Sequence, residues 1–461
     1  VADRGRAIVV GGGVAGLTWA LDALDAGYDV TVLEADTRLG GVVRSEPLGG
    51  IQVDVGAESF ALTRPDVVEL AERIGLSDAI VRPISHQAHV LTDGRRLPLP
   101  PGLLGIPASV EDIGRLLGAS AADEAAARDQ APPSRERATT IGALVRERLG
   151  DVVADTLVDP VIAGVHATRA DDAELASVAP SLHAAMIEHG GLMAAVRALR
   201  GPLGPAGSPV ASITGGMGRL VEGLHERLVT GGAQVRTSTP VGSLRREGSW
   251  TVRTSTGELH ADVLCLAVPA RAASLLLAGV PDAARRELAT ALAELTTTHD
   301  VTLVTLLIED ATLTRAGAPV GSGVLVADGS VRAKAMTHSS AKWGWLAEAL
   351  PPEQHVVRLS YGGIDASGQP TADVAALVEL ARTDVATLFG DALGNAQVRA
   401  SLVTRWSGAL SRPVVGRAQQ LADIDSRLAS HPRLALTGSS LAGNGLAGVV
   451  GRSHLEASRT L

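Results

Sequence analysis

The stretch "IVVGGGVAGLTWALDALDAGYDVTVLEADTRLGGVVRSE", Ile8 to Glu46, decides the fold. An apolar run ends in glycines. From Val14 to Ala26 apolar residues recur three and four apart, as on a helix, and "YDVTVLEA" then reads as a second strand. Gly11, Gly13 and Gly16 form G-x-G-x-x-G in the setting that gives the pattern meaning, after a strand and opening a helix. Gly11 permits a tight turn, Gly13 lets a diphosphate approach the backbone, and Gly16 lets the helix lie on the sheet. The helix N-terminus favours the anion. Gly12 and Ala15 belong to the same approach. Glu34 ends the second strand, with Ala35 after it, where an acid accepts hydrogen bonds from ribose hydroxyls and disfavours a 2′-phosphate. A glycine-rich turn with no ligand is the competing reading.

Working outward, 461 residues exceed one ordinary core and predict two or three domains. With 46% hydrophobic and 20% charged residues the chain is of globular type. The net charge of −9 argues against nucleic acid, which needs clustered Lys and Arg. Lysine is almost absent, with Lys334 and Lys342 alone, and this Ala/Gly/Val/Arg-heavy usage suggests a high-GC bacterial genome. The single Cys265 lies in an apolar run and reads as a buried small hydrophobe, with no disulfide in the chain and a cytoplasmic setting expected. No signal-peptide pattern precedes the first strand, and no apolar run is long enough to span a bilayer, so membrane contact is at most peripheral. His86 and His89 are three apart but lack a third ligand, so no metal site is expected.

Further along, short helical patterns and loops are expected from Pro65 to Leu117, and a mobile loop over 119–138, "ASAADEAAARDQAPPSRERA". Helices follow to about Leu199, and then a Pro/Gly crossing. One helix and several short strands follow "ITGGMG". "HDVTLVTLLIED" reads as a strand, "TADVAALVELARTDVATLFG" as a helix, and the C-terminal part as strand, glycine loop and helix. The expected class is α/β: a Rossmann-like nucleotide-binding domain from 1–55, 209–280 and 400–461, a discontinuous α+β domain from 56–99, the crossing 196–208 and 281–399, and a helical lobe at 100–195.

The continuation "EADTRLGGVVRSE", with Arg38, Gly40, Gly41 and Arg44, resembles the paired-glycine extension of FAD-dependent amine oxidases, phytoene desaturases and protoporphyrinogen-type oxidases. Two arginines there offer positive charge near a diphosphate. "DVGAESFALTRP" (54–65), "GVHATRADDAELASVAP" (164–180), "GGMGRLVEGL" (215–224), "MTHSSAKW" (336–343) and "GSSLAGNGLAGVV" (438–450) resemble, in order, segments of the protoporphyrinogen/coproporphyrinogen oxidases of heme synthesis. The likeness covers nearly the whole chain. It implies FAD, with Gly56, Ala57 and Val241 among its contacts. It also implies that Gly438, Gly443, Asn444 and Gly445 bracket the flavin ring and ribityl chain, with Leu446 and Val449 beside them. Two departures stand out: Arg417 occupies a position where the family usually has His, and "AKWGW" replaces Lys-Trp-Pro.

The resemblance implies oxidation of a porphyrinogen, with molecular oxygen as final acceptor, peroxide as by-product, and transient contact with a coproporphyrin ferrochelatase. The protein must supply a wide apolar slot and neutralise propionates, for which Arg64 and Lys342 are the expected substrate contacts and Arg95 and Arg96 further candidates. No catalytic base is assigned; His166 reads as structural. Composition tilts the substrate to coproporphyrinogen III over protoporphyrinogen IX. Another flavin oxidase acting on an amine or polyene, and a non-enzymatic flavin or porphyrin carrier, stay open.

Overall fold

The computed structural model describes residues 4–84, 87–132, 138–200, 210–295, 298–327, 329–362 and 373–461. His86 and most of the expected crossing, 201–208, lie outside them. Strand β1 (Arg6–Val10) is buried along nearly its whole length, as a parallel strand covered on both faces must be. Helix α1 (Val14–Asp25) buries Leu17, Trp19, Ala20, Leu21 and Ala23 almost completely, because it is wedged between the sheet and the helices Gly218–Thr230 and Leu446–Thr460. Strand β2 (Asp29–Leu33) pairs parallel with β1, Val9 opposite Val32. The full parallel sheet runs Gln234–Arg236, β2, β1, Val263–Leu266, Leu434–Leu436. Cys265 sits buried in its middle, between Val9 and Ala435, and burial pushes its thiol well above the usual range.

A second, seven-stranded sheet is ordered Gln397–Ser411, Thr298–Glu309, Gln354–Tyr361, Ala335–His338, Gly323–Val326, Ala88–Thr92, Arg95–Pro98, with one parallel pair, Gly323–Val326 on Ala88–Thr92. Val304, Leu306 and Ile308 pack on Leu377, Ala381 and Val385 of the helix Val374–Phe389. On the other side of this sheet Leu307 meets Val53 and Val55, from the segment that also supplies β1 and β2. The strand Gln397–Ser411 runs unbroken across the boundary expected at 399/400. The helical lobe has its own core, centred on Ile113, Leu144, Val145, Leu157 and Leu192.

Two expectations are corrected. Residues 119–130 are not a loop but the helix Ala119–Gln130: the alanines that look featureless are strong helix formers, and Ala121, Ala122 and Ala125 are buried. Within Pro65–Leu117 the chain forms a hairpin, Ala88–Thr92 with Arg95–Pro98, turning at Asp93 (φ +48°) and Gly94 (φ +69°), the left-handed pair that a two-residue hairpin demands.

Candidate functional site

The carboxyl ends of the parallel strands open on one edge, where ligands of open α/β sheets bind. Gly11 follows β1, Glu34 follows β2, and Gly438 follows Leu434–Leu436. Gly11 takes φ +108°, and a Cβ there would lie 2.4 Å from the Ala267 carbonyl oxygen. A Cβ on Gly16 would lie 2.0 Å from the Gly11 carbonyl oxygen, so this glycine serves helix-on-strand packing. Gly13 differs. A Cβ there would meet only the Gly40 carbonyl oxygen, at 4.0 Å, and a Cβ on Gly438, Gly443 or Gly445 would meet nothing within 4 Å. Gly13 and Gly445 are the N-caps of α1 and Leu446–Thr460, and neither helix start is capped by a side chain. Amides of two neighbouring helix N-termini are thus left for a ligand.

Gly40 (φ +105°) and Gly41 (φ +58°) carry the next loop across this opening: the Gly40 N–H donates to the Gly12 oxygen at 2.8 Å, and a Cβ on Gly41 would lie 3.7 Å from the Gly13 Cα. Glu34 Oε2 accepts from the Gly12 N–H at 2.7 Å and Oε1 from the Asp36 N–H at 2.7 Å, which fixes the carboxylate beside the glycine turn. Ala15 is buried in α1 and Ala35 exposed past β2. Arg38 and Arg44 both pair with Glu46 Oε1, at 2.5 and 2.6 Å, so their charges are partly matched within the chain. A Cβ on Gly56 would strike the Val42 oxygen, and the Ala57 N–H donates to that same oxygen, so both hold the loop that follows the paired glycines. Val241 opens an antiparallel strand opposite Thr254. Asn444 grips Ser411 in both directions, Oδ1 accepting from its N–H at 2.8 Å and Nδ2 donating to its oxygen at 3.0 Å, which ties the terminal glycine loop to the large sheet. Leu446 and Val449 are buried behind that loop.

The two expected substrate cations are both paired. Arg64 forms a two-toothed pair with Asp66, 2.9 and 3.1 Å, and is 55% exposed. Lys342 donates to buried Glu58 at 2.5 Å and stacks over Trp343. Arg358 meets the other oxygen of Glu58 at 3.0 Å and also donates to the Gly56 oxygen. Burial alone pushes the Glu58 carboxyl up, but Arg358 and Lys342 override it and hold it down at about 2. Asp54 nearby goes the other way, raised by burial to about 6 despite hydrogen bonds from Ser45 Oγ and the Met217 N–H. Arg95 and Arg96 stand exposed on an edge strand. His166 ends the helix Asp159–His166, and burial lowers its imidazole to about 4, so it is neutral at pH 7. His89 Nδ1 donates to the Val320 oxygen at 3.0 Å, and no cluster of three or more metal-ligating side chains occurs among the described residues. No described helix is long and apolar enough to cross a membrane. Sequence reading missed Glu58 and Arg358, since nothing local marks partners 300 positions apart.

The parallel sheet with its glycine-lined edge, set against a large mixed sheet, defines a two-sheet flavin-dependent oxidoreductase. The chain belongs to the flavin-containing amine oxidoreductase family, matched over residues 14–460, and its cofactor is a flavin. It is similar to the coproporphyrinogen III oxidase of Mycobacterium tuberculosis, 34% identical over 460 residues that cover 96% of this chain and 94% of that one. It is similar also to the coproporphyrinogen III oxidase of Bacillus subtilis, 25% identical over 95% of this chain and 94% of that one. Among solved structures, a protein from Exiguobacterium described as a protoporphyrinogen oxidase superposes with a TM-score of 0.83 at 26% identity, covering 99% of this chain and 98% of its own. Putrescine oxidase, at 15% identity and a TM-score of 0.65, shares the fold.

Proposed function

We propose that this chain is an FAD- and oxygen-dependent oxidase that converts coproporphyrinogen III to coproporphyrin III and releases hydrogen peroxide. The observation that carries the reading is the end-to-end similarity to proteins named for that activity, at 34% identity. The residues fit the dinucleotide form of the flavin. Gly13, Gly41, Gly438, Gly443 and Gly445 leave the space, Gly11, Gly16, Gly40 and Gly56 shape the backbone around it, and α1 offers its N-terminus to the diphosphate. Glu34 is fixed where an adenosine ribose would meet it, with Gly12, Ala15, Ala35 and Val241 flanking, while Asn444, Leu446 and Val449 set the loop against the ring. Arg38 adds positive charge next to the paired glycines.

Bound flavin supplies the two-electron acceptor that oxygen later restores. The chain's own part is to hold the macrocycle and keep water away. His166 is neutral and Glu58 is locked between two cations, so neither is poised to exchange a proton at pH 7; the macrocycle's nitrogens release their own protons as aromaticity develops. Arg64 remains the substrate contact proposed at the mouth, whereas Lys342, also expected to meet substrate, is held in its pair with buried Glu58. The test is aerobic porphyrin fluorescence with coproporphyrinogen III and protoporphyrinogen IX in parallel, against no-enzyme controls. Faster coproporphyrin formation is expected. Preference for protoporphyrinogen, the reading favoured by the Exiguobacterium protein's description, would change the substrate, and silence on both would discard the activity.

A further inference from the structure

One end of the large sheet gathers cations that form no ion pair among the described residues. The register Thr298 opposite Ser411, Thr302 opposite Tyr361 and Ala335 opposite Ser360 brings the start of two strands and the finish of two others to the same end. Arg412 follows Ser411, His299 is the second residue of its strand, and Lys334 immediately precedes Ala335. The helical lobe closes over this end. A Cβ on Gly164 would lie 2.8 Å from Leu325 Cδ2, and Arg412 Nη2 donates to Thr168 Oγ1 at 3.1 Å. The terminal glycine loop is there too, through the grip of Asn444 on Ser411. The site therefore lies where large sheet, lobe and flavin loop converge.

Among the described residues neither Arg412 nor Lys334 forms an ion pair, in a chain whose other lysine and many arginines are matched to carboxylates. Arg412 Nε and His299 Nε2 are both buried without a hydrogen-bond partner. The acid beside them, Asp300, spends Oδ1 on the Gly408 N–H at 2.7 Å. Burial first, and then the charges of Arg412 and Lys334, hold the His299 imidazole below its ordinary pKa, and burial does the same to the Lys334 ammonium. Buried donors left unpaired among the described residues, with the two cations Arg412 and Lys334 facing the single carboxylate of Asp300, are the arrangement that an incoming anion completes.

We propose that Arg412, supported by His299 and Lys334, is the carboxylate-binding end of the substrate slot and takes a propionate of the macrocycle. This rests on the porphyrinogen reading. An arginine braced by Thr168 offers a carboxylate its guanidinium edge, while His299 and Lys334 supply further donors. Position also favours a substrate group over a free anion: Arg412 lies beside the loop proposed to bracket the flavin and against fully buried Thr168 of the lobe.

The experiment compares wild type with Arg412→Gln and Arg412→Lys. Each is assayed with coproporphyrinogen III and with its methyl ester, and each is titrated with the product coproporphyrin III by absorbance, flavin content serving as the folding control. For the free acid, Arg412→Gln should raise KM and the product Kd about 10- to 100-fold, the usual scale of a lost charge-assisted pair. Arg412→Lys should recover most of that, and on the ester all three proteins should be alike. Wild-type KM in a flavin-loaded Arg412→Gln protein would overturn the proposal, as would an equal loss on acid and ester, the mark of a packing role. If wild type oxidises no porphyrinogen, the activity reading itself fails, and the titrations with coproporphyrin III and its ester then decide the carboxylate site alone.

Discussion

Gly13→Val separates the ligand's space from the protein's. Gly13 sits at φ −73° and ψ 172°, an extended conformation open to any residue, and its missing Cβ faces only a carbonyl oxygen 4.0 Å away. Folding should therefore tolerate the change, losing about 1 kcal/mol for a β-branched residue at a helix N-cap. The isopropyl group would then stand directly before the first amides of α1, in the gap proposed for the diphosphate. Flavin affinity should fall at least about 1000-fold, roughly 4 kcal/mol. Gly16→Ala is the contrasting change: its Cβ would lie 2.0 Å from the Gly11 carbonyl oxygen, a backbone clash that shifts α1 off β1 and costs about 1–3 kcal/mol or more. The assay pairs the ratio of flavin to protein absorbance with urea unfolding of the flavin-free forms. Gly13→Val should be near wild type in the second and empty in the first. Wild-type flavin occupancy in that variant, or a stability loss as large as that of Gly16→Ala, would refute the reasoning.

The buried charges make further predictions. Glu58→Gln leaves Lys342 and Arg358 buried without their counter-charge and should cost about 3–5 kcal/mol by urea unfolding at pH 7. Because the Glu58 carboxyl is held at about 2, below its unfolded value near 4.5, its stabilisation is complete above about pH 4.5 and is lost as pH falls toward 2; wild type should show that acid loss and Glu58→Gln should not. Asp54 has the opposite sign. Raised to about 6, it favours the fold below pH 4 and loses that contribution as pH rises through 6, so Asp54→Asn should flatten the stability profile between pH 4 and 7 without loss at pH 7. Asp129→Ala removes a carboxylate that accepts from the Leu192 and Met193 amides and faces Arg148, and should cost about 2–4 kcal/mol, with amide exchange accelerated first in Leu192–Arg200.

The glycine turn, the two strands around it and the terminal strand–loop–helix were legible because each is a local pattern whose period and punctuation survive in any context. The long strand Thr298–Glu309 and the helix Val374–Phe389 stood out for the same reason. The hairpin at Asp93–Gly94 was missed, its Asp-Gly turn signal lost among the prolines that follow. Ala119–Gln130 escaped because small alanines next to charges look like a linker, whereas they bury well and lose no side-chain entropy. Within the site, the separate roles of Gly11, Gly13 and Gly16 were legible from the motif, but not which of Gly40, Gly41 and Gly56 pack and which leave space. That distinction depends on the Val43 and Val42 oxygens, which carry no signal of their own. Glu58 between Lys342 and Arg358 is a product of tertiary contact alone.

The parallel sheet takes its central strand from Arg6–Val10 and its edge from Leu434–Leu436, and Tyr28 Oη donates to the Leu461 oxygen. During synthesis, therefore, β1 waits for a strand made more than 400 residues later before its sheet is complete. The helical lobe, whose contacts are local, can condense in the meantime. The proposed flavin cradle draws on Gly13 and Gly445, the N-caps of two helices far apart in the chain, so flavin loading is expected to follow synthesis of the second helix, Leu446–Thr460.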